Sequence, residues 1–188
     1  MAEEEKYIQD QTFDRIDVLE KGQYENCTFV DCDFTHKDLS GYLFTECTFS
    51  GCNISLVKLN KTAFREIQFK DCKMLGLQFD ICNEFGLSFS FVGCQLSHSS
   101  FHKTKIRNTL FKNSQLKGTD FTEADLTAVV FEDCNLTKAI FDHTILEKAD
   151  FRNAYHYTID PENNRIRKAR FAISGVAGLL EKYDIEIE

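Results

Sequence analysis

Eight cysteines, five histidines and 30 acidic residues are the side chains in this 188-residue sequence that could bind a metal or take part in catalysis. Zinc sites are recognised by C-x-x-C pairs and closely spaced histidines, and the sequence has neither pattern. The histidines are His36, His98, His102, His143 and His156, and they form no motif. There is also no P-loop, nucleophile elbow or paired-carboxylate motif. The sequence therefore predicts no catalytic residue, no metal site and no cofactor, and it indicates that the protein is not an enzyme.

The cysteines follow a pattern that explains their positions without a disulfide or a metal site. Seven of them lie two residues before a large apolar residue: Cys27, Cys32, Cys47, Cys52, Cys72, Cys94 and Cys134. Other small residues, such as Ser114, Thr119 and Ala124, take the same place elsewhere. Cysteine is a small residue that is often buried, and cysteines stacked on adjacent strands have parallel Cα–Cβ bonds, which is poor disulfide geometry. We therefore predict reduced cysteines that fill the core.

The large apolar residues recur every five positions, and these steps of five are nested in a repeat of twenty. The repeat reads F-V-D-C-D-F from Phe29, F-S-G-C-N-I from Phe49 and F-E-D-C-N-L from Phe131. A helix would place apolar residues three and four apart, and a half-buried strand would place them at every second position. A period of five within twenty instead indicates a chain that turns a corner every five residues and closes a four-sided coil after twenty.

The repeat predicts a column of stacked phenylalanines along the coil. Between Phe79 and Phe91 the spacing is two residues too long, and removing two residues there brings the later phenylalanines back into the same column. We therefore expect a small bulge at residues 80–88. The predicted column consists of Phe29, Phe49, Phe69, Phe91, Phe111, Phe131, Phe151 and Phe171.

The beginning and end of the chain depart from the repeat. We predict an N-terminal cap and lead-in coil at residues 1–23, a coil at residues 24–171, and a C-terminal capping and dimerisation segment at residues 172–188. The C-terminal segment includes a short helix with Val176, Leu179, Leu180 and Tyr183 on one side. The predicted fold is thus all-β, a solenoid that ends in a short helix.

The net charge of −8 argues against direct binding of nucleic acid, which requires clustered lysine and arginine. No apolar run is long enough to span a membrane, and the first ten residues are acidic, unlike a secretory signal. We therefore expect a cytoplasmic protein that is not associated with a membrane.

Acidic residues are concentrated in the later coils, where we predict a partner-binding face. It comprises Asp120, Glu123, Asp125, Glu132, Asp133, Asp142, Glu147 and Asp150. A rod of roughly 34 Å matches a length of DNA with about 20 charges, well above the net charge of this chain. A solvated face of mixed charge therefore remains the alternative to a functional acidic surface.

A short pattern recurs along the chain: a small residue, then Asp or Asn, then Leu or Phe, as in Ala124-Asp125-Leu126 and Ala149-Asp150-Phe151. This pattern resembles that of the pentapeptide repeat proteins. This resemblance covers roughly residues 24–171 and implies a right-handed quadrilateral β-helix. Ile159-Asp160-Pro161, the Leu179-Leu180 pair and the acidic tail at 184–188 are similar to the Qnr-type quinolone-resistance members. That narrower likeness implies a homodimer formed by the C-terminus. The implied dimer contacts are Val176, Leu179, Leu180, Tyr183 and Ile185.

Two functions remain open. The Qnr likeness implies a non-enzymatic protein that imitates DNA and binds a type II topoisomerase (DNA gyrase or topoisomerase IV), with protection against fluoroquinolones. The Qnr-type proteins use long loops for this protection, whereas this sequence has only the bulge at 80–88. The alternative is a general protein–protein interaction scaffold, which a surface of mixed charge would favour.

Overall fold

The computed structural model describes residues 6–186, so the ends of the two predicted terminal segments, 1–5 and 187–188, lie outside the described residues. The prediction of a β-solenoid with a short C-terminal helix is confirmed. The strands are β1 (Lys6–Gln9), β2 (Thr12–Asp14), β3 (Gly22–Glu25), β4 (Thr28–Val30), β5 (Leu43–Thr45), β6 (Thr48–Ser50), β7 (Ala63–Arg65), β8 (Ile67–Lys70), β9 (Phe89–Val92), β10 (Leu110–Lys112) and β11 (Val130–Glu132). The helix, α1, comprises Ala177–Leu180.

The strands form two parallel sheets on two sides of the coil. One has the order β1-β3-β5-β7, and the other has the order β2-β4-β6-β8-β9-β10-β11. Single bridges continue the parallel pairing on the remaining sides and in the later coils, as between Asp125 and Ile145. Strand β1 already pairs with β3, so the described part of residues 1–23 joins the coil.

The corners of the coil use left-handed backbone conformations. Asp31, Gly51 and Asp71 occupy equivalent corners in successive coils, with φ values of 50°, 66° and 53°. Only glycine adopts this conformation at no steric cost, while Asn and Asp adopt it more readily than other residues. The five-residue period is therefore the length of one side plus the corner that ends it.

The small residue two positions before each core residue connects neighbouring coils. The Cys52 thiol donates to the carbonyl oxygen of Phe29 at 3.3 Å. The Thr144 hydroxyl makes the same bond to Phe121 at 2.9 Å. This position needs a small residue, and a thiol or hydroxyl there also satisfies a carbonyl. The cysteines thus have a structural role that the sequence pattern revealed only in part.

The inside of the coil is filled by phenylalanine rings. Phe29 stacks on Phe49 with the ring centroids 4.5 Å apart, and Phe131 stacks on Phe151 at 4.9 Å. The members of the predicted column from Phe29 to Phe151 are at most 1% exposed, whereas Phe171, at the end, is half-buried. A second column of rings, including Phe101 and Phe121, packs edge-on against the first. The coil therefore has a packed core and no central channel.

The C-terminal segment lies against the final coils. Helix α1 is flanked by single 3₁₀ turns at Ile173–Gly175 and Glu181–Tyr183. A Cβ atom on Gly178 would lie 2.1 Å from the carbonyl oxygen of Tyr157, so only glycine permits this approach. The Gly178 carbonyl in turn accepts a hydrogen bond from the Ile159 N–H at 2.9 Å. Within residues 6–186, no helix is long and apolar enough to cross a membrane.

Candidate interaction surface

Outward side chains form rows along the rod, because equivalent positions of successive coils lie next to each other. The predicted acidic residues belong to different rows. Asp120 pairs with Ser100 and Ile140, Asp125 with Lys105 and Ile145, and Asp150 with Val130 and Arg170. Since these three bridge ladders run along different sides of the coil, the structure does not bring the eight acidic residues together on one face.

Several of these carboxylates are used to form the corners. The N–H of Thr122 donates to Asp120 Oδ1 at 2.8 Å, and the N–H of Thr127 donates to Asp125 Oδ1 at 3.1 Å. Asp and Asn side chains commonly stabilise turns by accepting the N–H two residues on. The recurring Asp or Asn before each core residue therefore has a structural reason, which the sequence analysis missed.

Cations neutralise part of the predicted acidic surface. Arg107 pairs with Asp125 at 2.6 Å, and Lys112 pairs with Glu132 at 2.7 Å. Lys103 lies 3.4 Å from Glu123, and Arg152 lies 2.7 Å from Asp150. Four of the eight predicted acidic residues thus have a Lys or Arg partner. The outer surface of these coils is mixed in charge.

Asp125 is the most buried of these acids, with 7% of its side chain exposed. Burial alone would raise the pKa of its carboxyl group. The hydrogen bonds from Arg107 and Thr127 outweigh burial and lower the pKa of Asp125 below its usual value. Asp125 is therefore a charged, structurally bound carboxylate at neutral pH, and its Oδ atoms are occupied by partners within the chain.

The bulge at 80–88 contains a 3₁₀ turn at Phe79–Ile81 and a loop that projects from the coil. Phe85 at the tip of this loop is 74% exposed. The guanidinium carbon of Arg65 lies 5.3 Å from the centre of the Phe85 ring, which is a cation–π contact. The sequence predicted the bulge but gave no indication that an aromatic side chain would be presented to solvent.

The predicted dimer contacts are exposed to different degrees. Val176, Tyr183 and Ile185 are 38%, 49% and 55% exposed. Leu179 packs against the core, and Leu180 is half-buried. Ile173 is 94% exposed and was not among the predicted contacts. Its position in the 3₁₀ turn before α1, rather than in the helix, explains why helical periodicity did not single it out.

The eight cysteines are free, and all but Cys82 are buried. Burial raises the pKa of Cys47 and of Cys134 to about 12, so both are protonated at neutral pH. A protonated thiol is a poor nucleophile and a poor metal ligand. Within residues 6–186, no group of three or more His, Cys, Asp and Glu side chains is arranged to hold a metal ion.

Two family models match the chain. A model of the pentapeptide repeat region matches residues 87–156, and a model of pentapeptide repeats in eight copies matches residues 25–60. Together they cover more than half of the sequence. None of the curated proteins matches the chain.

Solved structures with a similar fold cover nearly the whole chain. The structure of a trypsin-treated variant of QnrB1, a plasmid-mediated fluoroquinolone resistance protein, matches with a TM-score of 0.63 and 16% identity, covering 98% of this chain and 100% of QnrB1. Full-length QnrB1 matches with a TM-score of 0.48 and 17% identity, over 96% and 100% of the two chains. HetL, a protein involved in heterocyst differentiation regulation from the cyanobacterium Nostoc, has a TM-score of 0.46 and 14% identity, over 88% and 85%.

Proposed function

The chain belongs to the pentapeptide repeat proteins, and from this premise we propose that it is a non-enzymatic scaffold that binds another protein along its sides. The observation that carries this proposal is the mixed-charge exterior around a filled core, as in the Arg107–Asp125 and Lys112–Glu132 pairs. Regular rows of polar side chains on a rigid rod can match a protein surface in both shape and charge. The free cysteines favour a cytoplasmic site of action, since disulfides are rare there.

Photo-crosslinking from the separate sides of the rod tests this proposal. A photoreactive amino acid is placed at Ser50, Gln78 or Lys117, which are outward positions on three sides of the coil. We expect a specific partner to be captured from one side and not from the others. Equal capture from every side, or no capture from any, would contradict a dedicated binding surface.

A type II topoisomerase, either DNA gyrase or topoisomerase IV, is the second candidate we propose as a partner. Two observations favour it: the fold match to the trypsin-treated QnrB1 variant over 98% of this chain, and those of the eight predicted acidic residues that have no Lys or Arg partner among residues 6–186. These four of the eight predicted residues are Asp120, Asp133, Asp142 and Glu147. On this hypothesis the rod imitates DNA and protects the enzyme from fluoroquinolones. The salt bridges in the later coils weigh against DNA imitation, because they remove charge where DNA has an unbroken series of phosphates.

We further propose that the C-terminal segment forms a homodimer. Ile173, Val176, Tyr183 and Ile185 leave large apolar surfaces open to solvent in one segment of the chain. Contiguous exposed apolar surface is typical of a protein interface. A twofold dimer would bury these side chains against their copies in the second chain.

A further inference from the structure

The final coil, residues 165–171, has an outer edge that no strand among the described residues covers. In the preceding coil the equivalent edge pairs with the final coil. The N–H of Leu146 donates to the Arg165 carbonyl oxygen at 2.8 Å, and the N–H of Lys148 donates to that of Arg167 at 3.0 Å. In each coil, these N–H groups thus donate hydrogen bonds to carbonyl oxygens of the next coil.

The equivalent N–H groups of the final coil belong to Ile166, Lys168 and Phe171. None of them has a hydrogen-bond acceptor within residues 6–186. The core position at Ile166 is also only half-buried, whereas Leu146 one coil earlier is 0% exposed. The C-terminal segment, which bonds to Ile159 through Gly178, therefore leaves this part of the edge open.

The same edge carries an unusual concentration of positive charge. Arg165, Arg167 and Lys168 are exposed and have no ion pair within the described part of the chain. Arg170 lies 3.6 Å from the Asp150 carboxylate, which Arg152 already contacts at 2.7 Å. Four cations thus occur within six residues of an otherwise acidic protein.

Earlier coils show what such cations bind. Arg107 pairs with Asp125 and Lys112 pairs with Glu132, and in both cases the acidic residue lies in the following coil. In the final coil no such acidic residue follows within the described residues. The backbone and the side chains of the final coil therefore both lack the neighbour that earlier coils have, which is an extended strand with acidic side chains.

We propose that the edge from Arg165 to Phe171 binds an extended, acidic segment of a partner protein, which adds to the β-helix as one more strand. The partner's carbonyl groups would accept hydrogen bonds from the N–H groups of Ile166, Lys168 and Phe171, and its carboxylates would pair with the cations. The partner's own N–H groups would donate to the carbonyl oxygens of Asn164 and Ala169, whose counterparts one coil earlier, Thr144 and Ala149, accept from Arg165 and Arg170. Strand addition at an open sheet edge is an established mode of peptide recognition. This inference names a partner class for the proposed scaffold function and rests on that function.

A nucleic acid would satisfy only part of these groups. Its phosphates would pair with the arginines and accept backbone N–H groups, but a phosphate has no N–H group to donate to the carbonyl oxygens of Asn164 and Ala169. Hydrogen bonding by the backbone of the ligand therefore separates strand addition from simple attraction between opposite charges.

Fluorescence anisotropy with the full-length protein tests the proposal. The probe is a fluorescein-labelled decapeptide of alternating Glu and Val. The same peptide with N-methylated and therefore blocked backbone amides, and a ten-nucleotide oligothymidylate, serve as comparisons. We expect the unmodified peptide to bind, the N-methylated peptide to bind about tenfold more weakly, and the oligothymidylate to bind more weakly than the unmodified peptide.

A pair of charge-reversed variants locates the site. Arg165→Glu with Arg167→Glu should weaken peptide binding by about tenfold. Lys58→Glu with Lys61→Glu makes the same change in net charge at exposed lysines in a distant coil and should leave binding unchanged. Circular dichroism and thermal melting of each variant confirm that it is folded.

Three results would overturn the proposal. They are no peptide binding, equal binding of the N-methylated peptide or the oligothymidylate, and equal loss in the two charge-reversed variants. Sedimentation provides a fourth contradicting result. If a second copy of the chain binds the edge in the wild type and no longer binds it in the Arg165→Glu, Arg167→Glu variant, the edge is a self-association site and not a site for a partner peptide. Any of these outcomes leaves the crosslinking test of the rod's sides intact, so the two proposals fail separately.

Discussion

The ring of Phe69 stacks on the ring of Phe91 with centroids 5.3 Å apart and planes inclined by 10°, although this coil is two residues longer than the others. Their strands pair in register, Phe69 opposite Phe91. The extra residues are accommodated in the loop at 80–88, on another side of the coil. The aromatic column therefore continues through the insertion, and its rings stack without a break from Phe29 to Phe151.

We predict that Phe111→Ala destabilises the protein by about 3–5 kcal/mol, because it leaves a cavity in the middle of the column. Phe111 is 0% exposed and stacks on Phe91 at 4.9 Å and on Phe131 at 5.2 Å. Urea unfolding measures the change. The matched control is Phe85→Ala, which removes the same side chain from the exposed loop tip and should cost less than about 1 kcal/mol. Equal stability of the Phe111→Ala variant and wild type would contradict the packed column.

We predict that Ala128→Gly stabilises the protein by about 0.5–1 kcal/mol. Ala128 occupies a corner with φ of 58°, where its Cβ atom is strained and glycine is not. Thermal unfolding should show a higher melting temperature. Ala124→Gly, at a buried position in the same coil, should instead lower the melting temperature, because glycine relieves no backbone strain there and leaves a void. A lower melting temperature in both variants would mean that the corner strain is negligible.

The stability of the protein should depend on Asp125 in a defined pH range. The folded state lowers the pKa of this carboxyl group, so the unfolded state binds its proton more readily. The contribution of Asp125 is therefore complete above its unfolded pKa of about 4 and is lost as the pH falls through the folded pKa. We expect Asp125→Asn to be less stable than wild type at pH 7 and the difference to shrink towards pH 3.

Urea unfolding of both proteins at a series of pH values provides the measurement for Asp125. Asp133→Asn is a suitable control, because Asp133 is exposed and has no ion pair within residues 6–186. A gap between wild type and Asp125→Asn that stays constant down to pH 3 would show that the Arg107 contact does not stabilise the charged carboxylate.

The proposed dimer predicts that Ile173→Glu with Val176→Glu yields a monomer. Both residues are exposed in the single chain, so the substitutions should disturb the interface and not the fold. Sedimentation equilibrium gives the oligomeric state. Ile140→Glu, at an exposed isoleucine on the side of the rod, should leave the dimer intact. A wild-type protein that sediments as a monomer at high concentration would refute the dimer directly.

The fold could be predicted because a single physical constraint repeats along the chain. Each coil must place a large residue inside, a small residue beside it and a turn at the corner. A position that is ambiguous in one coil can therefore be assigned from the equivalent position in the next coil. For this reason the alignment of Phe91 with Phe69 across the insertion could be predicted from the sequence. The first coil was harder to predict, since β1 and β3 are separated by sixteen residues rather than twenty.

The surface could not be predicted in the same way, because outward positions carry no repeated constraint. Sequence order grouped Asp120, Asp125 and Asp150 into one acidic face, whereas the coil distributes them over three sides. Some cationic partners lie about one coil away in sequence, as Arg107 does from Asp125 and Lys112 does from Glu132, so these ion pairs appear only once the coil closes. The exposure of Ile173 likewise depends on where the C-terminal segment leaves the coil.

We propose that the rod binds a protein partner through a surface of mixed charge, in preference to the alternative that it imitates DNA. A supercoiling assay of DNA gyrase, titrated with the pure protein in the presence and absence of a fluoroquinolone, tests it most directly. We expect the protein, up to micromolar concentration, to leave supercoiling unchanged in both arms. Inhibition without the drug would establish competition with DNA, and restored supercoiling with the drug would establish topoisomerase protection. Either result would contradict a scaffold that does not imitate DNA.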